Sequence, residues 1–597
     1  MKNLKGVRNC LFLFALVLAT TVVAPSVFSQ DAKIKGTVTS VDGKPLEGVT
    51  VSVRGAGEPF VTSVYTNAQG VYVFPPLGKN TKYSLWAQAQ GFQMAKTDAA
   101  PGKPVSTLQL KVLKDFSKQM TGVEWMNSFP ETTPQEKRAK QIFVSNCSGC
   151  HDNHFALQNR FDADGWSKII TVMSKDSEGT PMRADAVGQT SMNEYKDELV
   201  AFLTKVRGPG PANYALKPLP RPTGEAAQVV ITEYDVPRPE APPESYLHNG
   251  SDWSEGTPSR WEGRASHDVA VGGDGRVYFS DDRAMTATLN QLDPKTGKVA
   301  ILAFPFNGGV SATHGVTADS DGNLWADTIG QGNFLEFNAK TQQFKMYPRP
   351  ADMKATVGGT VAGDTLAYKG AVWGTANDGA IKIDARTGQY TSYPMPDTHK
   401  GTYGMTVDRH GNGWYTSPGG DRDYVVDAET GKTSDVIFKP QAPPGTEVLP
   451  KDKAAYENIR ANQNSANPLQ NCPRRIGADP TADVVWVALF CQDKIARIDS
   501  RTHEVQEIAM PYKYSRPYGV TVDRDHNVWV NMLNTDMIAK YNPSTKQFTW
   551  FQMPSRGTDM RHLAFDYSTT PMSIYIPYNR SNKVARIQFR KASDMEE

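Results

Sequence analysis

At 597 residues the chain is too long for one core and divides into several domains. Its formal charge of +2 leaves no net field to draw in nucleic acid or an anionic membrane. The 49 glycines and 40 prolines, with many aromatics, point to turn-rich β structure, and five cysteines are few for an exported chain.

Lys2, Lys5 and Arg8 precede the apolar run from Leu11 to Ala24, which is short for a membrane span. Val27-Phe28-Ser29 puts small or tolerated residues at the −3 and −1 positions. Residues 1–30 are therefore expected to be a secretory signal, cleaved near Ser29 or Gln30 and taking Cys10 with it. No later stretch reaches spanning length, so the mature chain is expected in the periplasm or otherwise exported, with no transmembrane segment.

Residues 31–115 read as short strands: Ile34–Val38 and Val49–Val53 alternate, Asp42-Gly43 signals a hairpin, and Val71–Phe74 and Tyr83–Ala87 follow. A small β-sandwich is expected. The run Gly36-Thr-Val, Asp42-Gly-Lys-Pro-Leu-Glu-Gly-Val49, Thr66-Asn and Gly70-x-Tyr72-x-Phe74 resembles the carboxypeptidase regulatory-like domain, a prealbumin-like sandwich. The resemblance implies a binding or structural module, and a plain spacer is the favoured role.

Residues 130–207 turn helical. Glu136–Ser145 leads into Cys147-Ser148-Gly149-Cys150-His151, Asp164-Gly-Trp166 opens a second helix, and Asn193–Val206 closes the segment. Cys-x-x-Cys-His is the attachment signature of a c-type haem: thiols one helical turn apart meet the two vinyl groups, and the next histidine faces the iron. A zinc site would need a second close pair, and a redox dithiol a βαβ setting; neither is found. The segment resembles a class I cytochrome c domain, which implies one covalent haem c held by Cys147 and Cys150, with His151 as proximal ligand. Trp166-x-x-x-Ile170-x-x-Met173 resembles the tryptophan-to-methionine segment of small cytochrome domains fused to enzymes, so Met173 is the expected distal ligand. Met182 and Met192 are the alternatives, and core packing is the competing role for each.

Residues 208–225 form a proline-rich linker. In residues 226–597 the pattern Thr317-Ala-Asp-Ser-Asp-Gly-Asn-Leu-Trp325 returns at Thr406–Trp414 and Thr521–Trp529. Seven strand aromatics, Tyr278, Trp325, Trp373, Trp414, Trp486, Trp529 and Tyr575, stand 47, 48, 41, 72, 43 and 46 residues apart. That spacing predicts a seven-bladed β-propeller, with an insertion from Gln441 to Asn467 in the long interval. The last copy lacks an outer strand, and Val229–Pro237 is expected to supply it and close the ring.

The repeat resembles the virginiamycin B (streptogramin) lyase family, seven-bladed propellers that open cyclic depsipeptides by metal-assisted elimination. The resemblance implies magnesium and a Glu-x-His pair after the second strand. No such pair is present, and blade six has Asn531-Met532-Leu533 instead, which sets the lyase activity in doubt. By register, the first residue of each innermost strand faces the hub: His267, His314, Ala362, Tyr403, Arg474, Tyr518 and Arg561, a polar and partly cationic cup. Asp327 and Asn531 belong to a second ring. Cys472 and Cys491 flank a hairpin turned near Asp479–Ala482 and are expected to form a disulfide. The fold expected is thus multidomain and mainly β: a sandwich, a small all-α cytochrome c domain and a propeller. The favoured function is electron transfer or oxidoreduction, with a redox partner protein or a small-molecule substrate at the propeller. A lyase-like enzyme with accessory haem and a non-catalytic envelope binding protein are the alternatives.

Overall fold

A computed structural model describes residues 33–78, 80, 82–105, 107–149, 151–175, 190–237, 266–282, 287–305, 312–328, 332–350, 365–376, 378–396, 401–458, 466–579 and 581–595. The expected signal segment, Cys150, Met182 and Ala362 lie outside these residues.

The N-terminal segment is a sandwich. One sheet runs Val71–Val73, Lys35–Ser40, Leu108–Val112, Phe92–Gln93; the other runs Ala95–Ala99, Tyr83–Gln88, Thr50–Gly55, Phe60–Tyr65. Val38, Val51, Val53, Leu85 and Leu110 fill the space between them. The outward face of Thr50–Gly55 is buried as well, and Ser52 there pairs its hydroxyl with Ser63 at 2.8 Å. The cover comes from the propeller. Phe60–Tyr65 pairs antiparallel with Val229–Asp235, which pairs in turn with Lys583–Phe589, so one eight-stranded sheet runs through both domains. Val229–Asp235 does complete the last blade, as its sequence pattern predicts. Its far edge is capped by the sandwich, which is therefore welded to the ring rather than held off as a spacer. Gln88 Nε2 reaches the Pro554 carbonyl at 3.2 Å and Arg590 Nη1 the Val73 carbonyl at 2.6 Å, reinforcing the joint.

Among the described residues six α-helices follow: α1 (Gly122–Ser128), α2 (Pro134–Cys147), α3 (Asn153–Leu157), α4 (Ala163–Lys175), α5 (Thr190–Glu194) and α6 (Lys196–Arg207). Thr121 with Glu124 and Thr133 with Glu136 form capping boxes that start α1 and α2, and Pro134 sits where its missing N–H costs nothing. Ile142, Phe143, Trp166, Ile170, Leu199, Phe202 and Leu203 make their core, joined by Trp125 and Met126 of α1. Ile169, next to Ile170 in α4, points outward and is 39% exposed.

The remainder is a ring of seven four-stranded antiparallel blades, spanning 266–303, 313–347, 365–394, 405–437, 473–509, 517–552 and 564–589, the last completed by 229–235. Trp529 of blade 6 packs among Ile574, Ile576 and Ile587 of blade 7, and Tyr575 of blade 7 among Val269 and Phe279 of blade 1, which closes the circle. The recurring Thr-x-Asp-…-Asn-x-Trp motif has a hydrogen-bonding cause. One oxygen of Asp319 accepts the Asp321 and Asn323 backbone N–H groups at 2.9 Å, and the other accepts the Trp325 indole N–H at 2.9 Å. Asp408 and Asp523 do the same for Trp414 and Trp529, at 2.9 and 2.7 Å. Each of these three blades thus pins its buried tryptophan to its own hairpin turn.

The insertion after blade 4 carries α7 (Pro450–Asn458) and reaches the helical domain. Asp452 pairs with Arg138 of α2, and Tyr195 donates to Asp452 at 3.0 Å. Asn146 Nδ2 donates to the Ala466 carbonyl at 3.1 Å. The helices are thus tied to the insertion.

Candidate site at the propeller hub

Four innermost strands are irregular at their first residues: register shifts fall between Ser266 and Val269, Thr313 and Val316, Pro473 and Ile476, and Pro517 and Gly519. A bulge breaks strict alternation, so two successive side chains can serve one face. Counting one hub residue per strand therefore misses Asp268 and Arg475, which are buried beside His267 and Arg474; in blade 7 it misses His562, the half-buried neighbour of Arg561. The blades also approach closely here: a Cβ on Gly404 would stand 2.4 Å from the Arg474 carbonyl oxygen.

The structure brings the predicted hub residues together. Tyr403 and Tyr518, from blades 4 and 6, share a hydroxyl–hydroxyl hydrogen bond. The His267 and His314 rings lie 3.9 Å apart, and His314 stands edge-on to Tyr403 at 6.0 Å. The Arg474 guanidinium lies 4.4 Å from the Phe490 ring, 4.6 Å from Tyr518 and 5.1 Å from Tyr403. Arg561 lies 5.0 Å from Tyr518 and pairs with Asp559 at 2.8 Å. Arg475 crosses from blade 5 to blade 1, placing its two terminal nitrogens 2.8 and 3.1 Å from the Asp268 carboxylate. The expected cup is thus a packed plug of cations on aromatic faces, with His267 2%, Arg474 1% and Tyr518 0% exposed.

Charge inside the plug is unevenly matched. Burial pushes His267 down to about 3 against the pull of Asp268, with Arg475 and Arg561 adding to the fall. Burial likewise pushes His562 down to about 4, so both imidazoles are neutral near pH 7. Burial works to raise Asp268, but Arg475, His562 and His267 together hold it well below the usual carboxylate range. Burial pushes the Arg516 guanidinium down to about 9, opposed by Asp493 and assisted by Arg474. Arg474 and Arg516 flank Phe490, with Arg516 at 3.7 Å from its ring. Nε and Nη1 of both arginines are buried without a hydrogen-bond partner among the described residues. Those are donors fit for a carboxylate or phosphate.

The second ring holds the strands. Ser280 Oγ donates to the His314 carbonyl at 2.5 Å, Thr416 Oγ1 to that of Arg474 at 2.5 Å, and Asn531 Nδ2 to that of Arg561 at 3.0 Å. Asp327 accepts the Gly315 N–H. Each staples an inner strand in its own blade or the next. A third set escaped the sequence reading: Asp421, Asp493 and Asp536 each accept backbone N–H groups of the loop that feeds the next inner strand. The signal was present, since each lies seven residues after its blade tryptophan. Cys472 and Cys491 form the expected disulfide beside Arg474.

A second group of side chains lies on the blade 1 and blade 2 side. His267, Asp282 and His314 each offer a ligand-type atom, all within 4.8 Å of one another.

The residues flanking the haem-type motif meet loops of blades 5 and 6. Gln141 of α2 donates to the Cys491 carbonyl at 2.8 Å, and the Asn153 N–H donates to Asn534 Oδ1 at 2.8 Å. Cys147, at the end of α2, and Met173 both pack against the helical core. His151 Nδ1 lies 2.9 Å from the Asp152 carbonyl, and its ring lies 5.2 Å from that of Phe155. Met192 is buried in the helical core.

Residues 33–112 match the family model of the carboxypeptidase regulatory-like domain, so the N-terminal sandwich is a domain of that kind. No curated protein matches the chain. Among solved structures, a streptogramin B lyase is similar over 56% of this chain and 97% of its own, at 16% identity and a TM-score of 0.44. A virginiamycin B lyase from Staphylococcus aureus is similar over 55% and 96%, at 15% identity and a TM-score of 0.43. YCF48 bound to D1 peptide is similar over 55% and 93%, at 9% identity and a TM-score of 0.39.

Proposed function

We propose that the protein is an exported electron-transfer protein, with a c-type haem in the helical domain and a propeller hub that binds a small anion. The observation that carries this reading is the seam between the motif and the hub. Both flanks of Cys147–His151 are hydrogen-bonded to loops that bear hub residues: Gln141 to Cys491, next to Phe490, and Asn153 to Asn534, whose own backbone N–H meets the Ser515 carbonyl beside Arg516. A redox group held at Cys147 and His151 would thus be attached to elements hydrogen-bonded to the loops that carry Phe490 and Arg516.

The residues present fit a haem. A carbonyl on His151 Nδ1 favours the tautomer with the lone pair on Nε2, the atom required toward an iron. Cys147, for a thioether, and Met173, for a distal thioether ligand, pack against one apolar core, and an apolar setting would raise the potential of a haem held there. Such a haem supplies one-electron transfer at its iron. The chain's part would be to hold that group through α2 and its seam, and to orient an anion on Arg474 and Arg516.

The test is spectroscopic. Protein made in a host with a cytochrome-maturation system is expected to show a reduced-minus-oxidised c-type spectrum, lost in Cys147→Ala. Small carboxylates and inorganic phosphate, added to the oxidised protein, are expected to perturb that spectrum in wild type but not in Arg474→Met. Colourless protein with both thiols free would overturn the proposal.

A further inference from the structure

The arginines account for one side of the hub; the other carries different chemistry. We propose that His267, His314 and Asp282 bind a single first-row transition-metal ion, of the zinc or ferrous type, within the propeller. The inference deepens the proposed function, resting on the hub as its binding site, and is independent of the haem.

One ligand atom from each residue lies within 4.8 Å of the others, and modest side-chain rotation closes that span to the edge of about 3.4 Å expected for bonds of 2.0–2.2 Å in a tetrahedral site. The three residues come from the two adjoining blades that open the ring. Asp282 stands four residues after the blade aromatic Tyr278, the place that Phe490 holds after Trp486, where it meets Arg474.

Orientation is built in. His267 Nδ1 is 2.8 Å from Asp268, whose carboxylate is in turn held by Arg475 at 2.8 Å. A carboxylate on one ring nitrogen directs the other toward a metal and raises its basicity. The Ser280 hydroxyl bound to the His314 carbonyl fixes the backbone of the second histidine.

Charge does not forbid a cation, because the nearest guanidiniums are matched: Arg475 by Asp268 and Arg561 by Asp559. Two imidazoles and one carboxylate suit zinc or ferrous iron, not the hard ions magnesium and calcium, which take oxygen ligands. Three protein ligands leave a coordination position open, as catalytic sites do. Asp282 is half-buried, which leaves an entry path, whereas His267 and His314 are 2% and 5% exposed.

The experiment is zinc binding to full-length untagged protein after chelator treatment, read by calorimetry and by elemental analysis. A Cys147→Ser/Cys150→Ser background is run in parallel, so that loose thiols bind nothing. One zinc per chain is expected in both. His314→Gln and Asp282→Asn are expected to abolish it with circular dichroism unchanged, and Asp268→Asn to weaken it roughly 10- to 100-fold. Should His314→Gln misfold, the half-buried Asp282→Asn decides alone. Wild type without zinc, or an Asp282→Asn variant that binds zinc like wild type, overturns the proposal. Red protein lacking zinc would sink this site and spare the haem; colourless protein holding zinc would do the reverse.

Discussion

Asp452→Ala should release the helical domain from the propeller while leaving both folded. Asp452 and Arg138 are 0% and 3% exposed. The carboxylate also accepts the Tyr195 hydroxyl at 3.0 Å and the Leu449 N–H at 2.7 Å. An exposed ion pair would be worth about 0.2–1 kcal/mol. Breaking a buried one costs about 3–5 kcal/mol, because the surviving charge stays buried. Glu198 still faces Arg138 at 2.8 Å and is 28% exposed, so it takes up part of that charge. The expected loss is therefore near the lower bound, about 3 kcal/mol, or roughly a 100-fold rise in local opening. Hydrogen exchange followed by mass spectrometry reads this directly. Amides of α2 should exchange about 100-fold faster, while the blade 6 strands keep wild-type rates. Arg138→Met with Asp452→Leu, which removes both charges, should recover most of the protection. Exchange in α2 within about threefold of wild type would refute the reasoning, as would equal loosening of blade 6.

Asp523→Ala strips the Trp529 indole and two backbone N–H groups of their acceptor; a loss of about 2–3 kcal/mol in urea unfolding is expected, and a change below about 0.5 would contradict the motif's role. His562 is held at about 4 in the fold against about 6.5 unfolded. A depressed histidine contributes fully above its unfolded value, and that stability drains as pH falls toward 4. Wild type should thus lose about 2 kcal/mol relative to His562→Gln between pH 7 and 5, and an unchanged difference would refute it. Comparing the two proteins cancels Asp421, raised by burial to about 6, which works in the opposite direction. Cys472→Ser with Cys491→Ser opens a link between residues 19 apart, expected to cost about 3 kcal/mol, and insensitivity of the wild-type urea midpoint to reductant would count against it. Arg474→Met should keep or raise the melting temperature, since a buried unpaired cation is removed, yet weaken phosphate binding measured by calorimetry at least about tenfold.

Much of the architecture can be read along the chain because its causes are local. Capping boxes start helices within four residues, and an aspartate, an asparagine and a tryptophan six residues apart define a hairpin. Repeating that unit at a near-constant interval already implies a ring. The disulfide belongs to the same class, since a single hairpin brings Cys472 and Cys491 together. Even the closing strand, Val229–Asp235, was marked by the absence of its equivalent after Phe589.

What the sequence alone could not decide depends on partners far apart along the chain and on departures from regular pleating. Nothing in Phe60–Tyr65 or Val229–Asp235 says that they pair, because any exposed strand edge offers the same backbone groups. A bulge of one residue doubles the hub positions, so Asp268 and Arg475 join the site by register rather than by composition. Likewise, Gln141 and Asn153 are ordinary polar residues until packing sets them against Cys491 and Asn534. Hydrogen bonds between near neighbours leave a periodic trace in the order of residues. Contacts across hundreds of residues leave none, and they are what brings the cysteine–histidine motif, the arginines and the two histidines to one place.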